Sequence, residues 1–230
     1  MTPPATLILW DIDRTLIDVG QVSHEIYARA FLDVTNQPLQ DLADMTGRTE
    51  KAILLDTLAL HGVPDPESMF DRFYAALAEA ADALRDEMRR KGRRLPGSKQ
   101  AIAALARDGV VQTVVTGNIK AIAITKLDAF DLREHLDLDI GGYGSDDSTR
   151  AALVRLAQQR AERRYDRAFA PGRIVVIGDT PHDMHAARVV GVRAVGVATG
   201  GSTVEELRAA QADAVLADLT DTRALVTAVF

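Results

Sequence analysis

Asp11 and Asp13 stand two residues apart, directly after the apolar run Leu7-Ile8-Leu9-Trp10. Side chains alternate along an extended segment, so both carboxylates point to one side. Adjacent carboxylates repel, and a bound cation is the common remedy. Oxygen-only donors favour a hard ion, Mg²⁺ before Ca²⁺. The competing reading is a strand that runs into an acidic turn, because Asp is a frequent turn residue. Further polar groups end other apolar runs: Thr116 follows Val114-Val115, and Asp179 and Asp183 follow Ile174-Val175-Val176-Ile177-Gly178. If these runs are parallel strands, their tips share the edge where open α/β sheets bind ligands.

The elements needed to position these groups can be read along the chain. Apolar runs at 110–115, 136–140, 174–177, 192–197 and 214–216 read as strands separated by helical stretches, one of them near 151–163. Such alternation predicts a parallel sheet with right-handed crossovers. The stretch 19–91 breaks the repeat and reads as almost all helix. Phe70, Phe73, Tyr74, Leu77, Ala81, Leu84 and Met88 follow at threes and fours, the spacing of one buried helical face. Gly47, Gly62-Val63-Pro64 and Pro66 divide the stretch into about three or four helices. The expected fold is therefore α/β: a Rossmann-like parallel-sheet core, residues 1–18 and 94–230, with an inserted, mainly helical cap domain, residues 19–93. The basic run Arg89-Arg90-Lys91-Gly92-Arg93-Arg94 reads as the solvated end of the last cap helix.

Composition narrows the class of function. A formal net charge of -6 argues against general nucleic-acid binding, which needs a basic surface. With no cysteine there is no disulfide framework, thiol nucleophile or cysteine metal site. No apolar run has the length of a membrane span, and Met1-Thr2-Pro3-Pro4 lacks the basic and apolar regions of a leader. A cytoplasmic protein without a membrane partner is expected.

Taken in order, Asp11-Ile12-Asp13-Arg14-Thr15-Leu16, Val114-Val115-Thr116-Gly117-Asn118 and Ile177-Gly178-Asp179-Thr180-Pro181-His182-Asp183 resemble the first, second and fourth motifs of the haloacid dehalogenase superfamily of phosphohydrolases. The likeness is to members with a helical cap between the first two motifs, such as phosphoglycolate phosphatases. It implies a Mg²⁺-dependent phosphatase acting on a small phosphorylated metabolite. Asp11 is then the nucleophile that forms an aspartyl-phosphate, and Asp13 the acid and base. Mg²⁺ is held by Asp11, the Asp13 carbonyl and Asp179, while Asp183 orients Asp179 or holds a water on the metal. Thr116 and the Gly117 and Asn118 amides bind the phosphoryl group.

The chain departs from that pattern at two places. No lysine follows Lys126, so Arg150, just ahead of a helix, is the expected substitute for the usual third-motif lysine, although the two side chains are not equivalent. The alternative is a helix-surface arginine. Arg14 stands where relatives usually have Gly; its side chain is expected in solvent and its φ negative. In the cap, Arg48 of Thr46-Gly47-Arg48-Thr49 is a candidate contact for an acidic leaving group, with a helix N-cap by Thr46 or Thr49 as the structural alternative. His182 and His185 invite a transition metal, but the carboxylates favour an oxygen-ligated site. Ala198-Thr199-Gly200-Gly201-Ser202 lacks the lysine of a P-loop and reads as a turn near the cleft. Three other activities stay open: a phosphomutase resembling β-phosphoglucomutase, a non-catalytic phospholigand-binding module, and a phosphonate hydrolase using Lys51.

Overall fold

A computed structural model describes residues 5–230; the reading of Met1-Thr2-Pro3-Pro4 lies outside the described residues. The chain opens with β1 (Thr6–Trp10) and β2 (Ile17–Asp18) and enters four cap helices: α1 (Val22–Thr35), α2 (Glu50–Leu60), α3 (Phe70–Ala83) and α4 (Arg85–Lys91). It returns through β3 (Arg93–Arg94) and continues with α5 (Ser98–Leu105), β4 (Val110–Thr116), α6 (Lys120–Ala129), β5 (Gly142–Tyr143) and α7 (Arg150–Tyr165). The last third is β6 (Ile174–Gly178), α8 (Pro181–Val190), β7 (Arg193–Val197), α9 (Val204–Ala209), β8 (Ala214–Leu216) and α10 (Thr222–Val229).

Six strands form one sheet in the order β5-β4-β1-β6-β7-β8, every pair parallel. Every residue of β1 is buried, as a central strand covered on both faces requires. Leu7 and Leu9 pack into one apolar layer, Ile8 and Trp10 into the other. The second layer is continuous with the core of the cap, through Phe31, Phe73, Leu77 and Met88. Trp10 is paired with Val114 of β4 and Ile177 of β6, so the residues that follow all three strands emerge side by side. Strand order reverses at β1, which makes that edge the binding crevice of an open parallel sheet.

Two antiparallel residue pairs, Ile17 with Arg94 and Asp18 with Arg93, form the neck through which the chain leaves and re-enters the core. At its far end the cap is docked by its backbone. The Glu50 amide donates to the Gly117 carbonyl at 2.7 Å, and the Lys51 amide to that of Gly144 at 2.9 Å. A Cβ on Gly117 would overlap the Arg48 carbonyl oxygen, so this close approach needs a glycine.

Two local expectations are corrected. Residues 136–140 are turns, not a strand. Leu138 and Ile140 are buried in alternation, but Asp137 organises the segment by accepting from the Asp139 amide and donating its own amide to Gln112. The edge strand is instead Gly142–Tyr143, paired with Val115 and Thr116. Arg14 has φ +66°, not a negative φ. The tight turn beyond β1 requires it: the Arg14 amide donates to the Ile17 carbonyl at 2.7 Å, and Thr199 Oγ1 donates to the Arg14 carbonyl at 2.6 Å.

Replacing Gly117 with Ala is expected to separate the cap from the core without unfolding the sheet. Hydrogen exchange should then accelerate at the amides of Glu50 and Lys51 while β1 and β6 stay protected. Unchanged protection at Glu50 would show that the cap does not depend on this approach.

Candidate active site

Asp11 continues β1, its amide donating to the Ile177 carbonyl at 2.8 Å, and Asp179 follows β6 on the neighbouring strand. Carboxylate oxygens of Asp11, Asp179 and Asp183 lie within 4.8 Å of one another, and all three residues are buried. Burial, more than any other cause, pushes the Asp11 carboxyl up to about 7, against the opposing pull of Arg150. Burial also lifts Asp179 to about 8, aided by repulsion from Asp11 and Asp183. Thr15 Oγ1 donates to Asp179 at 3.1 Å.

Arg150, the first residue of α7, is buried and reaches back to the end of β1. Its Nη2 donates to Asp11 Oδ1 at 2.8 Å and to Asp183 Oδ1, while its Nε has no partner among the described residues. Asp183 is the third residue of α8, where it closes a capping box with Thr180. Its Oδ2 accepts from the Thr180 amide at 3.1 Å and hydroxyl at 2.6 Å. Asp183 is thus fixed by Arg150 and Thr180 beside Asp179.

Asp13 turns toward the cap side, with its side chain 37% exposed. Lys126, on α6, donates to both of its carboxylate oxygens, at 2.8 and 2.7 Å, and to Asn118 Oδ1 at 2.8 Å. Asn118 Nδ2 donates to Asp13 at 2.7 Å and to Thr116 Oγ1 at 2.8 Å. The loop after β4 is therefore tied to the end of β1 by one network. Lys126 belongs to no motif, and the signal in the sequence is weak: a lysine eight residues beyond Asn118, on a helix that also carries Lys120 and Asp128.

These groups line a cavity of about 410 Å³ between core and cap, with Asp11, Asp13, Thr116, Gly117, Asn118, Lys126, Arg150 and Asp179 on the core side. From the cap come Tyr27, Arg48 and Glu50 among others. The Arg48 guanidinium is engaged within the cap, on Asp56 at 2.5 Å and on the carbonyls of Asp44 and Ala52 at 3.2 and 3.3 Å. Thr49 N-caps α2, accepting from the Ala52 amide. Gly200 and Gly201 close the cavity beside Asp179; a Cβ on Gly200 would overlap an Asp179 oxygen.

Asp11, Asp179 and Asp183 offer carboxylate oxygens close enough together to share one cation, and oxygen-only donors fit a hard ion. The architecture is an α/β sheet with a helical cap over an acidic crevice. A model of the haloacid dehalogenase-like hydrolases matches residues 8–188, and the chain belongs to that family. It is 28% identical over 232 residues to a plasmid-encoded phosphoglycolate phosphatase of Cupriavidus necator, covering 97% of this chain and 94% of that one. It is 25% identical to a phosphoglycolate phosphatase of Agrobacterium fabrum, over 88% of this chain and 84% of the relative. A hydrolase from Pseudomonas syringae shares the fold, with a TM-score of 0.65 at 24% identity, over 94% and 95% of the two chains. Among the described residues no helix is long and apolar enough to cross a membrane.

The raised carboxyls carry a pH dependence whose sign is fixed by linkage. Asp11 and Asp179 bind a proton more tightly folded than unfolded, so the metal-free fold loses stability as pH rises from the unfolded value near 3.8 through about 7 and 8. A divalent cation binds the ionised form and should offset that loss. Added Mg²⁺ is therefore expected to raise the melting temperature more at pH ~8 than at pH ~5. Asp179→Asn should reduce the difference; an equal rise at both pH values would count against the acidic cluster as the binding site.

Proposed function

We propose that this enzyme hydrolyses a small phosphomonoester with the aid of Mg²⁺, through an aspartyl-phosphate on Asp11. The reading is carried by Asp11, which sits at the tip of the central strand between Arg150 and Asp179 and opens on a cavity closed by the cap. The names of the phosphoglycolate phosphatase relatives support the same chemistry.

Substrate phosphate would enter beside Asp11, with Arg150 and the loop after β4 around it. Thr116 Oγ1 accepts from the Asn118 amide at 3.3 Å and side chain at 2.8 Å, which leaves its own proton for a phosphoryl oxygen. The Arg150 Nε–H is likewise free for an anion. Mg²⁺, held by Asp11, Asp179 and the Asp13 carbonyl, would screen the repulsion between nucleophile and phosphate and offset the charge on the equatorial oxygens.

A carboxylate oxygen of Asp11 forms a bond to phosphorus as the bond to the leaving alkoxide breaks. Asp13 gives its proton to that alkoxide, then takes one from the water that attacks phosphorus and releases Asp11. Lys126 and Asn118 fix the Asp13 carboxylate so that both transfers occur from one position. Asp183 keeps Arg150 and Asp179 in register. Cap closure limits the water that reaches the intermediate.

The test is release of phosphate from a panel of phosphorylated metabolites, with and without Mg²⁺. Asp11→Asn is expected to abolish release and Asp13→Asn to reduce it by roughly 10²–10⁴-fold, each with an unchanged circular dichroism spectrum. Acid-quenched wild type should carry a base-labile phosphate on Asp11. Asp11→Asn activity close to wild type would remove Asp11 as the nucleophile.

A further inference from the structure

Glu50, the first residue of α2, is only 5% exposed, yet it lines the cavity. Its Oε1 accepts from the Tyr27 hydroxyl at 2.8 Å, and its Oε2 has no partner among the described residues. Burial raises its pKa, opposed by the Tyr27 hydroxyl, by Lys126 and by the backbone amide of Ile119, which lies near the carboxylate without meeting hydrogen-bond geometry. A buried acceptor without a partner is costly to leave unmet. The cations nearby are already committed: Arg48 to Asp56, Lys126 to Asp13 and Asn118, Arg150 to Asp11 and Asp183. Arg14, at the mouth, has its side chain 56% exposed and lies 3.5 Å from Asp18. Among the described residues, the cap half of the cavity therefore offers a leaving group an acceptor and no uncommitted buried cation.

We propose that Glu50, held by Tyr27, is a specificity subsite for a hydrogen-bond donor on the leaving group. It favours phosphomonoesters of alcohols that carry a second hydroxyl or an amino group, and disfavours those that carry a carboxylate. This rests on the phosphatase reading above and deepens it. A donor fills the vacant position on Oε2. A carboxylate brings no donor for Oε2, and where Glu50 is ionised it adds like charge in a site shielded from water. The Glu50 amide itself donates to the Gly117 carbonyl, so closing the cap and placing the acceptor over the phosphate loop are one event. Recognition is thereby confined to the closed state.

The experiment compares kcat/KM of the wild type, with Mg²⁺, for glycerol 3-phosphate, 2-aminoethyl phosphate, propyl phosphate and phosphoglycolate. At least one donor-bearing ester should exceed phosphoglycolate by about tenfold or more, with propyl phosphate between them. The first two arms separate hydroxyl from amine. Glu50→Gln, nearly isosteric, should shrink the ratio of the preferred ester to phosphoglycolate by about tenfold, chiefly through KM, and Tyr27→Phe should shrink it less. Phosphoglycolate turned over as well as the donor-bearing esters, or a ratio unmoved in Glu50→Gln, overturns the subsite. Calorimetric binding of the same esters to Asp11→Asn separates the two readings. Preferential binding without phosphate release by wild type leaves the subsite standing and removes the phosphatase. Release without preference does the reverse.

Discussion

Mutual repulsion among carboxylates crowded at the tips of β1 and β6 is the constraint around which the rest of the crevice is arranged. Asp11, Asp179 and Asp183 are buried, where an uncompensated charge is expensive, and the raised values of Asp11 and Asp179 express that cost. Arg150 offsets part of it from a helix that begins at the same edge. What it does not offset stays as the cost of crowding these carboxyls at one edge, which the raised values express. The sheet supplies the proximity. A parallel strand pair brings residues 168 apart in sequence, Asp11 and Asp179, to adjacent tips without any local folding preference of their own.

The cap responds to the same edge. It is joined to the core by four residues at the neck and docked at the far end by backbone hydrogen bonds onto the loops of Gly117 and Gly144. A contact made by main-chain groups holds position without committing the cap's side chains. Tyr27 and Glu50 stay turned toward the cavity, and the Arg48 guanidinium is retained by Asp56. The cap side chains that face the cavity can thus vary while the loops of Gly117 and Gly144 and their docking remain as they are.

Much of this was legible from the sequence because the chemistry sits in short segments next to apolar runs. Asp11 and Asp179 each follow a strand and Thr116 ends one, and strand ends can be read from a run of Ile, Val and Leu. Lys126 and Glu50 were not legible in the same way. Each lies on a helix, and its role comes from which face the tertiary fold turns inward, which spacing along one helix does not specify. Residues 136–140 show the opposite failure. Their alternating pattern satisfies strand periodicity, but the hydrogen bonds of Asp137 hold the segment in turns. At Arg14 a general preference for negative φ gave way to the hydrogen bonds of a turn that must reverse within a few residues of the nucleophile.

The two buried cations of the crevice are not interchangeable, and their geometry says why. Lys126 carries its charge on one atom that donates in several directions, which suits three acceptors gathered around a point: both oxygens of Asp13 and the Asn118 carbonyl. Arg150 must instead link carboxylates that come from different elements, Asp11 after β1 and Asp183 on α8, and still keep an N–H for an anion. Both bonds come from Nη2, so one end of the guanidinium serves the two carboxylates while Nε keeps no partner among the described residues. Lys126 meanwhile serves the opposite side of the crevice, where Asn118 joins Asp13 to Thr116 in one hydrogen-bonded unit.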